Sequence, residues 1–136
     1  MQLNPYLHFN GQCEEAFTFY RSCLGGKIEA LLRHQDAPCD THVPEDWKGK
    51  VMHARLVFGD QAIMGCDAPS QCYKTPQGFS ASLETKDAAE AEQIFSQLAQ
   101  DGTVEMPIQE TFWAIRFGMV IDRFGIPWMV NCSKAA

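Results

Sequence analysis

One order of elements occurs twice along the chain, and this repetition constrains the fold more than any single motif. Leu3 to Asn10 reads as a strand, with Leu3, Pro5, Leu7 and Phe9 on one face and Tyr6 and His8 on the other. From Gln12 to Leu24 the apolar residues Cys13, Ala16, Phe17, Tyr20 and Leu24 recur at helical spacing. Gly25-Gly26 ends that helix, because glycine takes the left-handed C-terminal conformation at little cost. Lys27 to Arg33 is a second strand, and Val51 to Phe58 with Gln61 to Asp67 forms a hairpin around Gly59-Asp60. The order then returns. Gly78 to Glu84 alternates Phe79, Ala81 and Leu83 with Ser80, Ser82 and Glu84. Asp87 is the predicted N-cap of a helix, and Glu90 three residues on approximates a capping box. Ala91, Ile94, Phe95 and Leu98 form its stripe, Gly102 closes it, and Thr103 to Met106 is a short strand. Phe117 to Asp122 and Ile126 to Cys132 make the last hairpin around Arg123-Phe124-Gly125. Gly26 and Gly102 lie 76 positions apart, and Ala16 and Ile94 lie 78 apart. The pattern predicts an α+β fold of two βαβββ modules, at about 1–67 and 78–136, within a single domain over 1–136. The halves share order rather than sequence identity, so an unduplicated α+β domain is the alternative.

Length and composition set the class. With 136 residues, 46% of them hydrophobic, the chain can bury a core as one domain. A formal net charge of -6 and scattered Lys and Arg oppose nucleic-acid binding, which needs a cationic surface. No apolar stretch is long enough to cross a bilayer, and Met1-Gln2-Leu3-Asn4-Pro5 lacks the pattern of a signal peptide. A cytoplasmic location is therefore expected. The six cysteines (Cys13, Cys23, Cys39, Cys66, Cys72 and Cys132) include no Cys-x-x-Cys spacing. Free, partly buried thiols are expected, with Cys66 and Cys132 as possible cavity residues.

Three stretches resemble the PhnB-like branch of the glyoxalase, bleomycin-resistance and dioxygenase (vicinal oxygen chelate) superfamily. They are Tyr6 to Tyr20 running on to Leu24-Gly25-Gly26, then His53 to Leu56 with Ile63 to Asp67, and lastly Phe112 to Gly118 with Asp122 to Asn131. The resemblance implies paired modules whose curved sheets enclose a cavity, usually in a homodimer. Members of this branch often carry the label 3-demethylubiquinone methyltransferase-like. The sequence has no glycine-rich strand-to-helix turn of the nucleotide-binding type and does not read as a doubly wound sheet, so that chemistry is not expected.

Metal-using members of the superfamily hold a divalent ion with His and Glu side chains, one from each of four strands. Carried over by strand position, the two carboxylates fall at Met64 and Met129, and the histidine opening the second module falls at Ser80 or Phe79. On the first strand an ungapped match gives Pro5, while alternation turns Tyr6 and His8 inward. Thioethers are poor ligands for hard ions, so neither a metal of the usual kind nor another cofactor is expected. His34, Asp36, Cys39, Asp40 and His42 crowd one long loop, which reads as a polar lid, with a zinc-like site as the alternative. Trp47 in that loop either closes on a ligand or anchors the loop.

The ligand-pocket candidates are therefore His8, His53, Met64, Trp113, Arg116 and Met129, with no catalytic residue assigned. His53 beside Arg55 is a candidate general base or a satisfied strand residue. Trp113 and Arg116 suit a planar or anionic molecule, unless the first packs between modules and the second pairs with an acid. Asp67 and Asp122 read as turn-makers at strand ends, and Trp128 as core. A metal-independent small-molecule-binding protein is expected, either an enzyme or a sequestering binder with adaptable methionine and aromatic walls. Glyoxalase, extradiol dioxygenase and fosfomycin-type thiol transfer all require the metal and are disfavoured. The alternative is a metal-dependent lyase, isomerase or dioxygenase-type enzyme with a non-standard ligand set including His8, His42 or His53.

Overall fold

The structure is a computed structural model that describes residues 1–37 and 44–134. The chain divides into two compact units, Met1–Lys74 and Thr75–Ala136. Each is a βαβββ module with a four-stranded mixed sheet, and the α+β reading of the sequence holds.

The first unit contains β1 (Tyr6–Phe9), α1 (Cys13–Leu24), β2 (Lys27–Arg33), β3 (Val51–Phe58) and β4 (Gln61–Asp67). Its sheet order is β1-β4-β3-β2, with β1 parallel to β4 and the other pairs antiparallel. β1 starts at Tyr6 rather than Leu3. The Pro5 carbonyl still accepts the Met64 N–H at 3.0 Å, but proline has no N–H with which to extend the ladder. Alternation along β1 sends Leu7 and Phe9 into the core and leaves Tyr6 and His8 on the other face. Phe9 and Tyr20 each pack against Phe17, with centroids 6.1 and 6.0 Å away. Room for Phe17 comes from Gly65 on β4, where a Cβ would lie 2.9 Å from its ring and 2.8 Å from the Leu7 carbonyl oxygen.

The second unit contains β5 (Ala81–Glu84), α2 (Ala88–Leu98), β6 (Thr103–Gln109), β7 (Ala114–Ile121) and β8 (Pro127–Ser133), in the order β5-β8-β7-β6. β5 runs parallel to β8, which reproduces the topology of the first unit. Asp87 caps α2 by accepting the Glu90 N–H at 2.8 Å. The Glu90 carboxylate accepts from Lys86, one residue before the cap, so the reciprocal bond of a capping box is displaced by one position. Gly102 does not supply the left-handed residue that turns the chain after α2; Asp101 does, at φ 58°. Gly102 is needed for a different reason, since a Cβ there would collide with the Ile121 carbonyl of β7. β6 runs past Met106 to Gln109. It is an edge strand with a register shift around Pro107, so the missing N–H breaks no central ladder. Ala91, Phe95 and Leu98 of α2 and Trp128, Val130 and Cys132 of β8 are buried together with Val120.

Candidate functional site

In each unit the helix covers one sheet face, and strand alternation leaves a second face that carries His8, His53 and Met64 in the first unit and Met129 in the second. In the first unit Tyr6 and His8 of β1, Met64 and Cys66 of β4, and His53 and Arg55 of β3 share that face. The register sets Tyr6 beside Met64, His8 beside Cys66, and Arg55 beside Met64. The Tyr6 hydroxyl crosses β4 to lie 3.2 Å from His53 Nδ1, and the two rings stack at a 28° interplanar angle. His8 tilts against Tyr6 with centroids 5.4 Å apart, and its Nδ1 lies 3.7 Å from Cys66 Sγ. Arg55 Nη1 approaches the Met64 sulfur at 4.0 Å. His8, His53 and Met64 are thus brought together. Tyr6, Arg55 and Cys66 join them, and the shared parity of 53 with 55 and of 64 with 66 was the sequence signal for these neighbours.

The electrostatics of this face favour neutral phenol and thiol. Partial burial, reinforced by Cys66, pushes the Tyr6 hydroxyl up to about 12, so it remains a hydrogen-bond donor at neutral pH. Burial also raises Cys66, partly opposed by the Tyr6 hydroxyl and aided by Asp67. Cys66 is therefore not an activated nucleophile. Cys13 is raised further by burial and the nearby Asp67 carboxylate.

In the second unit Met129 pairs with Ser82 of β5 and Met119 of β7. Met129, Ser80, Phe79, Glu105, Ile121 and Pro127 help line an open depression of about 530 Å³. That volume is within the range of small-molecule sites. Trp113 and Arg116 lie elsewhere. Arg116 Nε donates to Glu92 of α2 at 2.9 Å, so its guanidinium is engaged on the helix side. Trp113 is 44% exposed and packs edge-on against Phe112 and Phe117, at 4.9 and 5.3 Å. Cys132 is buried and pairs with Arg116, away from the Met129 row.

The two buried aspartates have structural work. Asp67 accepts N–H bonds from Gly11, Cys13 and Val51 at 2.9–3.0 Å, fastening the start of α1 and of β3 to the end of β4. Asp122 accepts from Phe124 and Ile126 within its turn and from the Trp128 indole at 2.8 Å. Trp128 is core, 1% exposed. Trp47 anchors its loop by donating to the Asp67 carbonyl at 3.4 Å. His34 Nε2 lies 3.3 Å from the same carbonyl, while Asp36 accepts the Arg33 N–H. Cys39, Asp40 and His42 lie outside the described residues.

Where the resemblance carries over two carboxylate ligands, the chain has Met64 and Met129, and the register sets Tyr6 and Ser82 beside them. Such a donor set does not suit a hard divalent ion. Among the described residues, no three His, Cys, Asp or Glu side chains gather as a ligand set. No helix among them is long and apolar enough to cross a membrane.

Known proteins are similar to this chain over nearly its whole length. A solved structure of protein PA1353 from Pseudomonas aeruginosa is 49% identical, with a TM-score of 0.88 and 99% of each chain covered. Protein YjdN of Escherichia coli K12 is 33% identical, over 98% of this chain and 97% of its own length. A putative 3-demethylubiquinone-9 3-methyltransferase, PhnB protein, from Bacillus cereus is 24% identical, with a TM-score of 0.81 over 98% of this chain and 100% of that one. The fold alone extends to a glyoxylase/bleomycin resistance protein/dioxygenase domain from Frankia, 13% identical with a TM-score of 0.66. The profile of the 3-demethylubiquinone-9 3-methyltransferase family matches residues 1–131, and the chain belongs to that family.

Proposed function

We propose that the protein is a metal-independent small-molecule-binding member of this family, its two units forming one domain over 1–136. One observation supports the reading: Met64 and Met129, onto which the resemblance carries the two carboxylate ligands, lie on the sheet faces that the helices leave uncovered. Met64 sits among Tyr6, His8, His53 and Arg55, and Met129 lines the 530 Å³ depression. Thioethers give a soft, adaptable wall and leave a hard ion without anionic ligands. On the first unit's face, polar phenol, imidazole and guanidinium groups beside an apolar thioether match the usual makeup of small-molecule sites. A cytoplasmic homodimer is the setting we assign to this function.

The rival reading is an enzyme with an unusual metal set. The 3.7 Å separation of His8 Nδ1 and Cys66 Sγ favours it, since two ligands of one soft ion lie about that far apart. Elemental analysis of protein purified without chelator, followed by native mass spectrometry, separates the two. A retained organic molecule without metal supports the proposal. Stoichiometric metal overturns it in favour of the rival.

A further inference from the structure

We infer that Arg55, with His53 and Tyr6, seats the anionic group of a small organic ligand, a carboxylate or a phosphate. This rests on the ligand-binding reading above and assigns the chemistry that reading leaves open.

A comparison of arginines carries the inference. Arg33 makes a two-pronged pair with Glu14 at 3.0 and 3.1 Å and also reaches the Gly49 carbonyl at 3.1 Å. Arg116 binds Glu92 at 2.9 Å and the Ile115 carbonyl at 2.7 Å. Both are spent on structure. Arg55 is not. Its Nε is shielded from solvent and has no hydrogen-bond partner among the described residues. Glu29 Oε1 lies 3.4 Å from that nitrogen, as an ion pair without hydrogen-bond geometry. The remaining polar contact is the thioether of Met64 at 4.0 Å, a weak acceptor. A guanidinium presents five donors in a planar fork, and a buried donor left unpaired is costly. A two-oxygen anion supplies the acceptors that this fork lacks.

The neighbours have matching polarity. Tyr6 remains a phenol at neutral pH and shares a hydrogen bond with His53 Nδ1 at 3.2 Å, which fixes the imidazole ring and leaves its Nε2 edge for a ligand. Arg55 and His53 both lie on β3, two residues apart, and project from the same face. The charged opponent is Glu29, half-exposed at a register shift of β2. It partly neutralises Arg55 and competes with the incoming anion.

Titration calorimetry with benzoate and with inorganic phosphate tests this, alongside the NMR signal of the Arg55 Nε–H. The wild-type protein binds at least one of the two, and the Nε–H resonance moves downfield. Benzoate alone, phosphate alone, or both support the inference and identify which oxyanion the seat takes. Arg55→Gln weakens binding about tenfold to hundredfold, and Arg55→Lys weakens it less, because the charge remains without the fork. Glu29→Gln tightens binding roughly twofold to fivefold, the range of an exposed ion pair. A purely structural Arg55–Glu29 pair does not produce that gain. If Arg55→Gln fails to fold, the lysine and Glu29 variants decide. Binding of neither anion, or unchanged affinity in Glu29→Gln and Arg55→Lys, overturns the inference. A neutral organic molecule retained in native mass spectrometry would overturn it while leaving the binding function intact.

Discussion

The two units share strand order, the single parallel pair and a helix phenylalanine lodged over a glycine, yet their second faces have diverged. Phe17 rests over Gly65 on β4, whereas Phe95 rests over Gly118 on β7, where a Cβ would lie 2.6 Å from the ring. Equivalent helices thus found their clearance on different strands. Gly26 and Gly102 are closer counterparts: each follows its helix, and a Cβ at either would collide with a carbonyl of the adjacent strand, Val57 or Ile121. Backbone proximity has been kept and side-chain chemistry has not. The first unit presents phenol, imidazole, thiol and guanidinium. The second presents Met129, Ile121, Pro127 and the Ser80 hydroxyl with the Glu105 carboxylate.

The largest expected effect asks whether the buried aspartates hold both units equally. Asp67→Ala and Asp122→Ala each strand three N–H donors and should cost about 3–5 kcal/mol in urea unfolding. A loss below about 1 kcal/mol at Asp67 would show that its three hydrogen bonds do not hold the first unit together. Next come the glycine clearances. Gly65→Ala and Gly118→Ala should each cost about 1–3 kcal/mol through overpacking. Pairing Gly118→Ala with Phe95→Leu should recover part of that loss, as should Gly65→Ala with Phe17→Leu. Strict additivity in either pair would show that the ring is not what the glycine accommodates.

A milder contrast concerns thiols. Native-state alkylation should modify exposed Cys72 first and half-buried Cys66 slowly, because burial raises its thiol. Cys132 should react only on unfolding. Mass spectrometry showing Cys132 modified alongside Cys66 would dissolve the distinction between the faces. The smallest effect is acid sensitivity. Hydrogen bonds from Asn131 and the Ser133 backbone hold Glu84 below its ordinary carboxylate value. Its folded-state value is depressed, so its contribution is present above the unfolded value and lost as pH falls through the folded one. Glu84→Gln should lower thermal stability slightly at neutral pH, within the surface range, and the difference from wild type should vanish as pH falls through that acidic window.

Periodicity made most of the architecture legible. The bounds of β2, β3 and β4 agree with the alternation of their apolar residues, and the inward set Cys13, Ala16, Phe17 and Tyr20 follows from helical spacing alone. Residues whose behaviour depends on a partner were harder to read. Gly102 looks like a helix stop, but its need arises from Ile121, nineteen positions away. Pro107 reads as the end of a strand until β6 is known to be an edge. The site shows the same division. Alternation turns Tyr6, His8 and Met64 to one face, but the register shift between Ala114 and Arg116 and the pull of Glu92 decide where Arg116 points. Aromatic neighbours marked Arg116 in the sequence, while Arg55 carried no comparable local mark. Its open donors emerge only when β3 and β4 are laid side by side.

The parallel pairing of β1 with β4 also bears on the order in which the first unit can form. Tyr6 cannot find Met64, nor Phe9 find Asp67, until the strand at the far end of the unit has been made. The antiparallel ladder of β3 with β4 closes a two-residue turn, whereas the parallel seam closes a loop of more than fifty residues at greater entropic cost. Tyr6 and His8 therefore take their places beside Met64 and Cys66 only when that seam shuts. A chain stopped short of β4 would hold the segments of α1 and β3 without the carboxylate that ties them. Assembly of the face shared by Tyr6, His8, Met64 and Cys66 is consequently a late event in folding, coincident with closure of the sheet.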